Sequence, residues 1–191
     1  MELAIHRVSA KDIPPLHQIL MVCAFDLKER FGLSHWMSPI YPLERMLKDA
    51  DELEVYALTS GATLVGTFTL ETTMPSSYLK YGNIRWQLSD VSAVYVHKLA
   101  ILPDRQGQGL GTWCLQAIER LAASQDYRAA RLDGVKTHSK LLRFYESRGY
   151  QKVGELMYNS DLWVDAFVFE KVLTLNRKKS HTNTSGAMFW C

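Results

Sequence analysis

The densest chemical signal in this chain is a run of six residues, Gln106-Gly107-Gln108-Gly109-Leu110-Gly111. It follows an apolar, β-branched run, Val94 to Ile101, that reads as a strand ended at Leu102-Pro103. Glycine takes φ > 0 and lets a backbone come close to a ligand. The first N–H groups of a helix opening at Leu110 have no carbonyl partner within it, and the positive end of its dipole lies there. Such a turn suits a phosphate or pyrophosphate. Two side chains outside this run can carry a proton. Tyr145 offers a phenol that stays protonated at neutral pH and can donate. His97, on the strand, offers an imidazole, the side-chain type that titrates near neutrality.

Phosphate-binding turns come in several patterns, and two are excluded here. A Walker loop requires Lys-Ser/Thr after its last glycine, whereas Gly111 precedes Thr112-Trp113. A dinucleotide fingerprint requires Gly-x-Gly-x-x-Gly directly off a strand, and this run is Gly-x-Gly-x-Gly after a short loop. Gln106-x-x-Gly109-x-Gly111 resembles instead the Gln/Arg-x-x-Gly-x-Gly/Ala loop of the GNAT superfamily of acetyl-CoA-dependent N-acetyltransferases. The resemblance implies an acetyl-CoA site. Its pyrophosphate would lie on the main chain of Gly107, Gln108, Gly109, Leu110, Gly111 and Thr112, and its pantetheine along the main chain of Leu99, Ala100 and Ile101, like an added strand. A side chain at Gly109 or Gly111 is expected to crowd that approach.

A second stretch, Phe144-Tyr145-Glu146-Ser147-Arg148-Gly149-Tyr150, resembles the Phe-Tyr-x-x-x-Gly-Phe segment of the same family. There the tyrosine is the usual candidate for protonating the leaving thiolate, a role that falls by position on Tyr145. His138 stands where many members carry an asparagine, and Leu141 where an alanine is common. The resemblance thus offers His138 as a pantetheine contact. Tyr95-Val96-His97-Lys98-Leu99-Ala100-Ile101 also resembles the His-x-His-x-Leu-Ala-Val strand of arylalkylamine N-acetyltransferases, with Tyr95 at the first histidine. A primary amine must shed a proton before it attacks, so His97 is the candidate base, Glu71 the next, and a water chain the plain alternative. Strand alternation places Tyr95, His97, Leu99 and Ile101 on one face. Trp36, Tyr41 and Trp86 are candidates for an acceptor cleft or for ordinary packing.

The elements that must position these groups follow from periodicity. Leu3 to Val8 reads as a strand, and Ser9 to Asp12 as a capping box ahead of Pro14 and Pro15. Ile13, Leu16, Leu20, Cys23 and Leu27 then form one helical stripe that stops at Phe31-Gly32. A short helix is expected over 43–48, and a hairpin over 54–71. Residues 72–91 show no steady period and read as a loop. Leu110, Cys114, Ala117, Ile118 and Leu121 mark a helix, 129–135 a strand, and 139–148 a helix closed by Gly149. Two strands, 150–158 and 165–173, end the pattern. The central β-α-β crossover predicts a single α/β domain over 1–173: a mixed sheet with helices on both faces and a V-shaped opening between 94–101 and 129–135. This is also the order of the GNAT fold. The polar tail, 174–191, is expected to be disordered.

Composition bounds the remaining possibilities. At 191 residues, 47% hydrophobic and 22% charged, the chain has the make-up of one globular domain. A net charge of +2, with Arg177-Lys178-Lys179 as its clearest basic cluster, gives no footprint for nucleic acid. Three cysteines, Cys23, Cys114 and Cys191, have no metal-ligand spacing, and their odd number argues against a disulfide framework. No apolar run is long enough to span a membrane, and Met1-Glu2-Leu3 does not open a secretory signal. A cytoplasmic, metal-free enzyme acting on a small-molecule amine is the expectation, with a homodimer compatible. A non-catalytic acetyl-CoA sensor and a protein or peptide N-acetyltransferase are the alternatives.

Overall fold

The stripe Ile13, Leu16, Leu20 and Cys23 buries one side of helix α1 (Ile13–Phe31), which Gly32 closes at φ 69. At its start the Asp12 carboxylate accepts from both the N–H (3.2 Å) and the hydroxyl (2.9 Å) of Ser9. The computed structural model describes residues 2–37, 41–158 and 164–174, so the tail expected from 174 onward lies outside the described residues apart from Thr174.

Strands β1 (Leu3–Arg7), β2 (Glu54–Ser60), β3 (Thr63–Glu71), β4 (Gly82–Ile84), β5 (Ala93–Ile101), β6 (Ala129–Val135), β7 (Gln151–Leu156) and β8 (Ala166–Val172) form one sheet. Their order is β1-β2-β3-β5-β6-β8-β7-β4. Only β5 and β6 run parallel, because helix α4 (Leu110–Ser124) carries the chain across between them. The expected mixed sheet is therefore present.

Side-chain alternation distributes the core to both faces. Val94 and Val96 pack with Cys114, Leu115 and Ile118 of α4 and with Tyr145 of helix α5 (Ser139–Ser147). On the other face, α1 and helix α2 (Leu43–Glu52) cover Val55, Ala57 and Ala100. Further along that face, helix α3 (Ser76–Tyr81) brings Tyr78 onto Ala93, Tyr95 and Ala129.

Three sequence expectations are corrected. Residues 72–91 are not one loop, since α3 and β4 lie within them. A six-residue helix and a three-residue edge strand have too little length for a period, and tertiary contacts hold them: Tyr78 is buried, and β4 pairs with β7. Helix α2 runs to Glu52 rather than Lys48, with Asp49 buried against the sheet.

The third correction concerns β5. Thr69 pairs with His97 but Thr67 pairs with Ala100, so β5 holds one extra residue there, and Lys98 takes φ 52. This bulge reverses the alternation beyond it. Leu99 and Ile101 share the α4 face with Val94 and Val96, while Tyr95 and Ala100 belong to the opposite face.

The same region contains the opening. Parallel pairing between β5 and β6 ends at Val96–Leu132. Beyond it, β5 pairs only with β3 on one side, and β6 only with β8 on the other. The wedge between them is the V expected from the sequence.

Candidate active site

Backbone geometry sets the glycines of the turn apart from one another. Gly107 and Gly109 sit at φ 76 and 83, and a Cβ built on either would meet no protein atom within 4 Å. Gly109 is the N-cap of α4, and Trp113 N–H is bonded to the Gly109 carbonyl at 3.0 Å. The N–H groups of Leu110, Gly111 and Thr112 precede that bond. Gly111 differs: its Cβ would come within 3.2 Å of Phe144 Cζ, so its small size lets α4 pack on α5. Two glutamines brace the turn. Gln106 Nε2 donates to the Ile101 carbonyl (3.0 Å), and Gln108 Nε2 to the Asp104 carbonyl (3.0 Å). Thr112 Oγ1 accepts a long contact, 3.5 Å, from Arg148.

On the strand, Leu102 N–H donates to Val65 in β3. Alternation then turns the main-chain groups of Leu99 and Ile101 toward the wedge and those of Ala100 toward β3. The Ile101 carbonyl also accepts from the Cys23 thiol at 3.3 Å. Burial pushes that thiol up to about 12, as it does Cys114, so both are protonated spectators.

A cleft of about 630 Å³ opens where the strands splay. His97 and Glu71 stand on its β5–β3 wall, with Nε2 and Oε2 3.3 Å apart and each side chain about one-fifth exposed. Tyr145 reaches it from α5, 6% exposed, with its ring against Gly134 of β6. Burial, and secondarily the Asp133 charge, pushes the Tyr145 phenol well up, which keeps its proton in place. Helix α2 supplies a third wall. Lys98 Nζ lies 2.8 Å from Asp49 Oδ2, which also accepts from the Tyr41 hydroxyl, and the ammonium sits 4.6 Å from the Tyr41 ring centre.

Of the residues singled out in the sequence, His97, Glu71, Leu99, Tyr145, Trp36 and Tyr41 all line this cleft. Trp86 does not: it packs over the Arg131 guanidinium at 3.9 Å. His138 is the N-cap of α5, its Nδ1 accepting from Leu141 N–H at 3.4 Å and its ring 4.2 Å from that of Phe31. Desolvation pushes this imidazole down, toward the neutral form that an accepting nitrogen requires. Sequence reading missed Asp133, Tyr78, Asp49 and Lys98. Asp133 had one available signal, an acid inside an otherwise apolar strand, Ala129 to Val135.

An open wedge between parallel strands, with a positive-φ glycine turn between the first strand and its crossover helix and proton-carrying groups in its cleft, is the plan of an acyl-group transferase. A family model described as "Acetyltransferase (GNAT) family" matches residues 15–150, and the chain belongs to that family. Among solved structures it is similar to a GNAT-family acetyltransferase from Streptococcus agalactiae, at 15% identity and TM-score 0.74, covering 90% of this chain and 96% of that one. One from Listeria monocytogenes is 18% identical, with TM-score 0.70 and coverage of 91% and 96%. RimL, described as a ribosomal alpha-N-protein acetyltransferase in complex with coenzyme A, is 14% identical, with TM-score 0.63 and coverage of 90% and 94%. At these identities the likeness concerns the fold. No curated protein matches the chain. Among the described residues no helix is long and apolar enough to cross a membrane, and no group of three His, Cys, Asp or Glu side chains is placed to hold a metal ion.

Proposed function

We propose that this protein moves the acetyl group of acetyl-CoA to the primary amine of a small molecule, by direct attack within a ternary complex. The observation that carries this reading is the cleft at the splayed end of β5 and β6, whose lining includes both His97 and Tyr145. Its volume, about 630 Å³, is that of a small-molecule site.

Acetyl-CoA supplies an activated thioester when bound. The chain's own residues do the rest. The positive-φ turn at Gly107 and Gly109, with the N–H groups through Thr112, receives the pyrophosphate. Gln106 and Gln108 hold that turn in shape, Gln106 through the Ile101 carbonyl, and the main chain of Leu99 and the N–H of Ile101 face the pantetheine. Ala100 and His138 support this wall, the first through its pairing with β3, the second by capping α5. His97 takes the proton that the attacking nitrogen loses, with the Glu71 carboxylate placed to stabilise the imidazolium that results. Tyr145 keeps a proton for the departing sulfur. Two free, buried cysteines suit a reducing compartment, and we assign the protein to the cytoplasm.

Free CoA thiol released during a screen of primary amines, with acetylated product identified by mass spectrometry, tests the proposal. Tight acetyl-CoA binding without turnover on any small amine, amino acid or peptide leaves a sensor domain. Turnover on peptide amino termini alone moves the acceptor to proteins.

A further inference from the structure

The α3 side of the cleft contains an anion that the reaction just described does not use. Asp133 follows Arg131 by two positions on β6, so it shares the face of Tyr95 and Arg131 and lines the cleft. Its Oδ1 accepts from the Tyr78 hydroxyl at 2.8 Å. Among the described residues no lysine or arginine forms an ion pair with it.

The cations nearest in sequence are committed elsewhere. Arg131 spends all three nitrogens on Glu170 (2.9 Å), the Tyr95 hydroxyl (2.7 Å) and the Leu88 carbonyl (2.6 Å). Lys136 pairs with Glu155 at 2.7 Å and reaches Asp165 at 3.9 Å. On the α2 wall, Lys98 and Arg45 both turn to Asp49. His35 is within electrostatic reach, but desolvation pushes its imidazole down, and its buried Nδ1 has no partner. With histidines neutral, the described residues of the cleft lining carry four carboxylates (Asp49, Glu52, Glu71, Asp133) against two strong cations, in a chain whose net charge is +2. The excess negative charge is local to this cleft.

A half-buried carboxylate without a counter-ion calls for a cation from outside. Phenols surround it: Asp133 holds the hydroxyl proton of Tyr78 and pushes Tyr145 and Tyr158 upward as well. These rings leave an apolar body beside the charge. We infer that Asp133 is the counter-ion that receives the acceptor in its ammonium form, so that the acceptors are strongly basic primary aliphatic amines on an apolar body rather than neutral amines or alcohols. This rests on the acetyl-transfer reading for the identity of the cleft, but not on turnover. Asp133 binds the ammonium across the wedge from His97, and the proton that leaves the nitrogen passes to His97.

Calorimetry on the full chain in the presence of CoA, with 2-phenylethylamine and 2-phenylethanol as probes, tests it. The two share a body and differ in the cationic group. Wild-type protein is expected to bind the amine at least about tenfold tighter, the scale of one charge-assisted hydrogen bond. Asp133→Asn keeps an acceptor for Tyr78 and is expected to abolish that preference, and Asp133→Glu to restore part of it. In turnover, Asp133→Asn should raise KM for the amine about tenfold or more and leave kcat within a few-fold. Equal affinity for amine and alcohol in the wild type overturns the inference without any variant. An unchanged preference in Asp133→Asn overturns it too. A wild type that prefers the amine through Asp133 yet releases no CoA from acetyl-CoA sinks the acetyl-transfer reading and leaves Asp133 as an ammonium site.

Discussion

His97 Nε2 lies 3.3 Å from Glu71 Oε2, although 26 positions separate the two in sequence. The antiparallel register explains it: Glu71 pairs with Tyr95 and Thr69 with His97, so the carboxylate is a diagonal neighbour of the imidazole on one sheet face. A base with an anion beside it can carry positive charge briefly, which is what proton removal from an amine requires.

His97→Ala is therefore expected to slow the chemical step by ~10²–10⁴-fold. Acetyl-CoA affinity should change little, since the glycine turn is untouched. Glu71→Gln should slow the step less. A fully active His97→Ala enzyme transfers the role to Glu71 or to a water chain. Single-turnover rates against pH give the answer.

Tyr145→Phe deletes the proton donor. Single-turnover kcat should fall by ~10²-fold or more. Burial holds the wild-type phenol well above its ordinary value, so it stays protonated as pH rises. Wild-type activity is thus expected not to decline between pH 8 and about 10 through loss of this proton. An alkaline limb in that window that Tyr145→Phe abolishes contradicts the assignment.

Gly109 and Gly111 should separate by function. Gly109→Val places a β-branched residue at φ 83, a strain of about 1–3 kcal/mol, and fills the open side of the turn. Calorimetry should show acetyl-CoA binding weakened beyond about tenfold in a protein that still melts cooperatively. Gly111→Ala instead presses on Phe144, so it should lower Tm modestly and leave affinity near wild type. Unchanged affinity in Gly109→Val moves the pyrophosphate away from this turn.

The Arg131–Glu170 pair, 2% and 0% exposed, gives a stability prediction. Glu170 also accepts from Gln87 N–H at 2.6 Å, which ties the segment ahead of β5 to the sheet. Arg131→Met strands a buried carboxylate and should cost about 3–5 kcal/mol in urea unfolding. Removing both charges, as Arg131→Met with Glu170→Met, should recover a large part of that loss. A single variant as stable as wild type would mean that water already reaches the pair.

Much of the plan lies in the chain itself. The glycines of the turn, Pro103 at the strand end and the stripe of α4 act on their immediate neighbours, so their meaning survives without the fold. Tyr145 is singled out only by resemblance to the family's Phe-Tyr-x-x-x-Gly-Phe segment, whose glycine here, Gly149 at φ 86, closes the helix four residues on. What tertiary structure alone decided is the side to which each group points and what it meets. Strand alternation is a local rule, yet the extra residue at Lys98 overrides it once Asp49, 49 positions away, draws the ammonium to α2. Asp133 reads as an isolated acid until α3 lays Tyr78 against it. Helix α3 and β4 are too short to hold a shape unaided, and burial against the sheet gives them one. Spacing along the chain encodes the turn and the helices because their hydrogen bonds span four residues. The cleft is assembled from groups dozens of residues apart, and only the packed sheet brings them within reach.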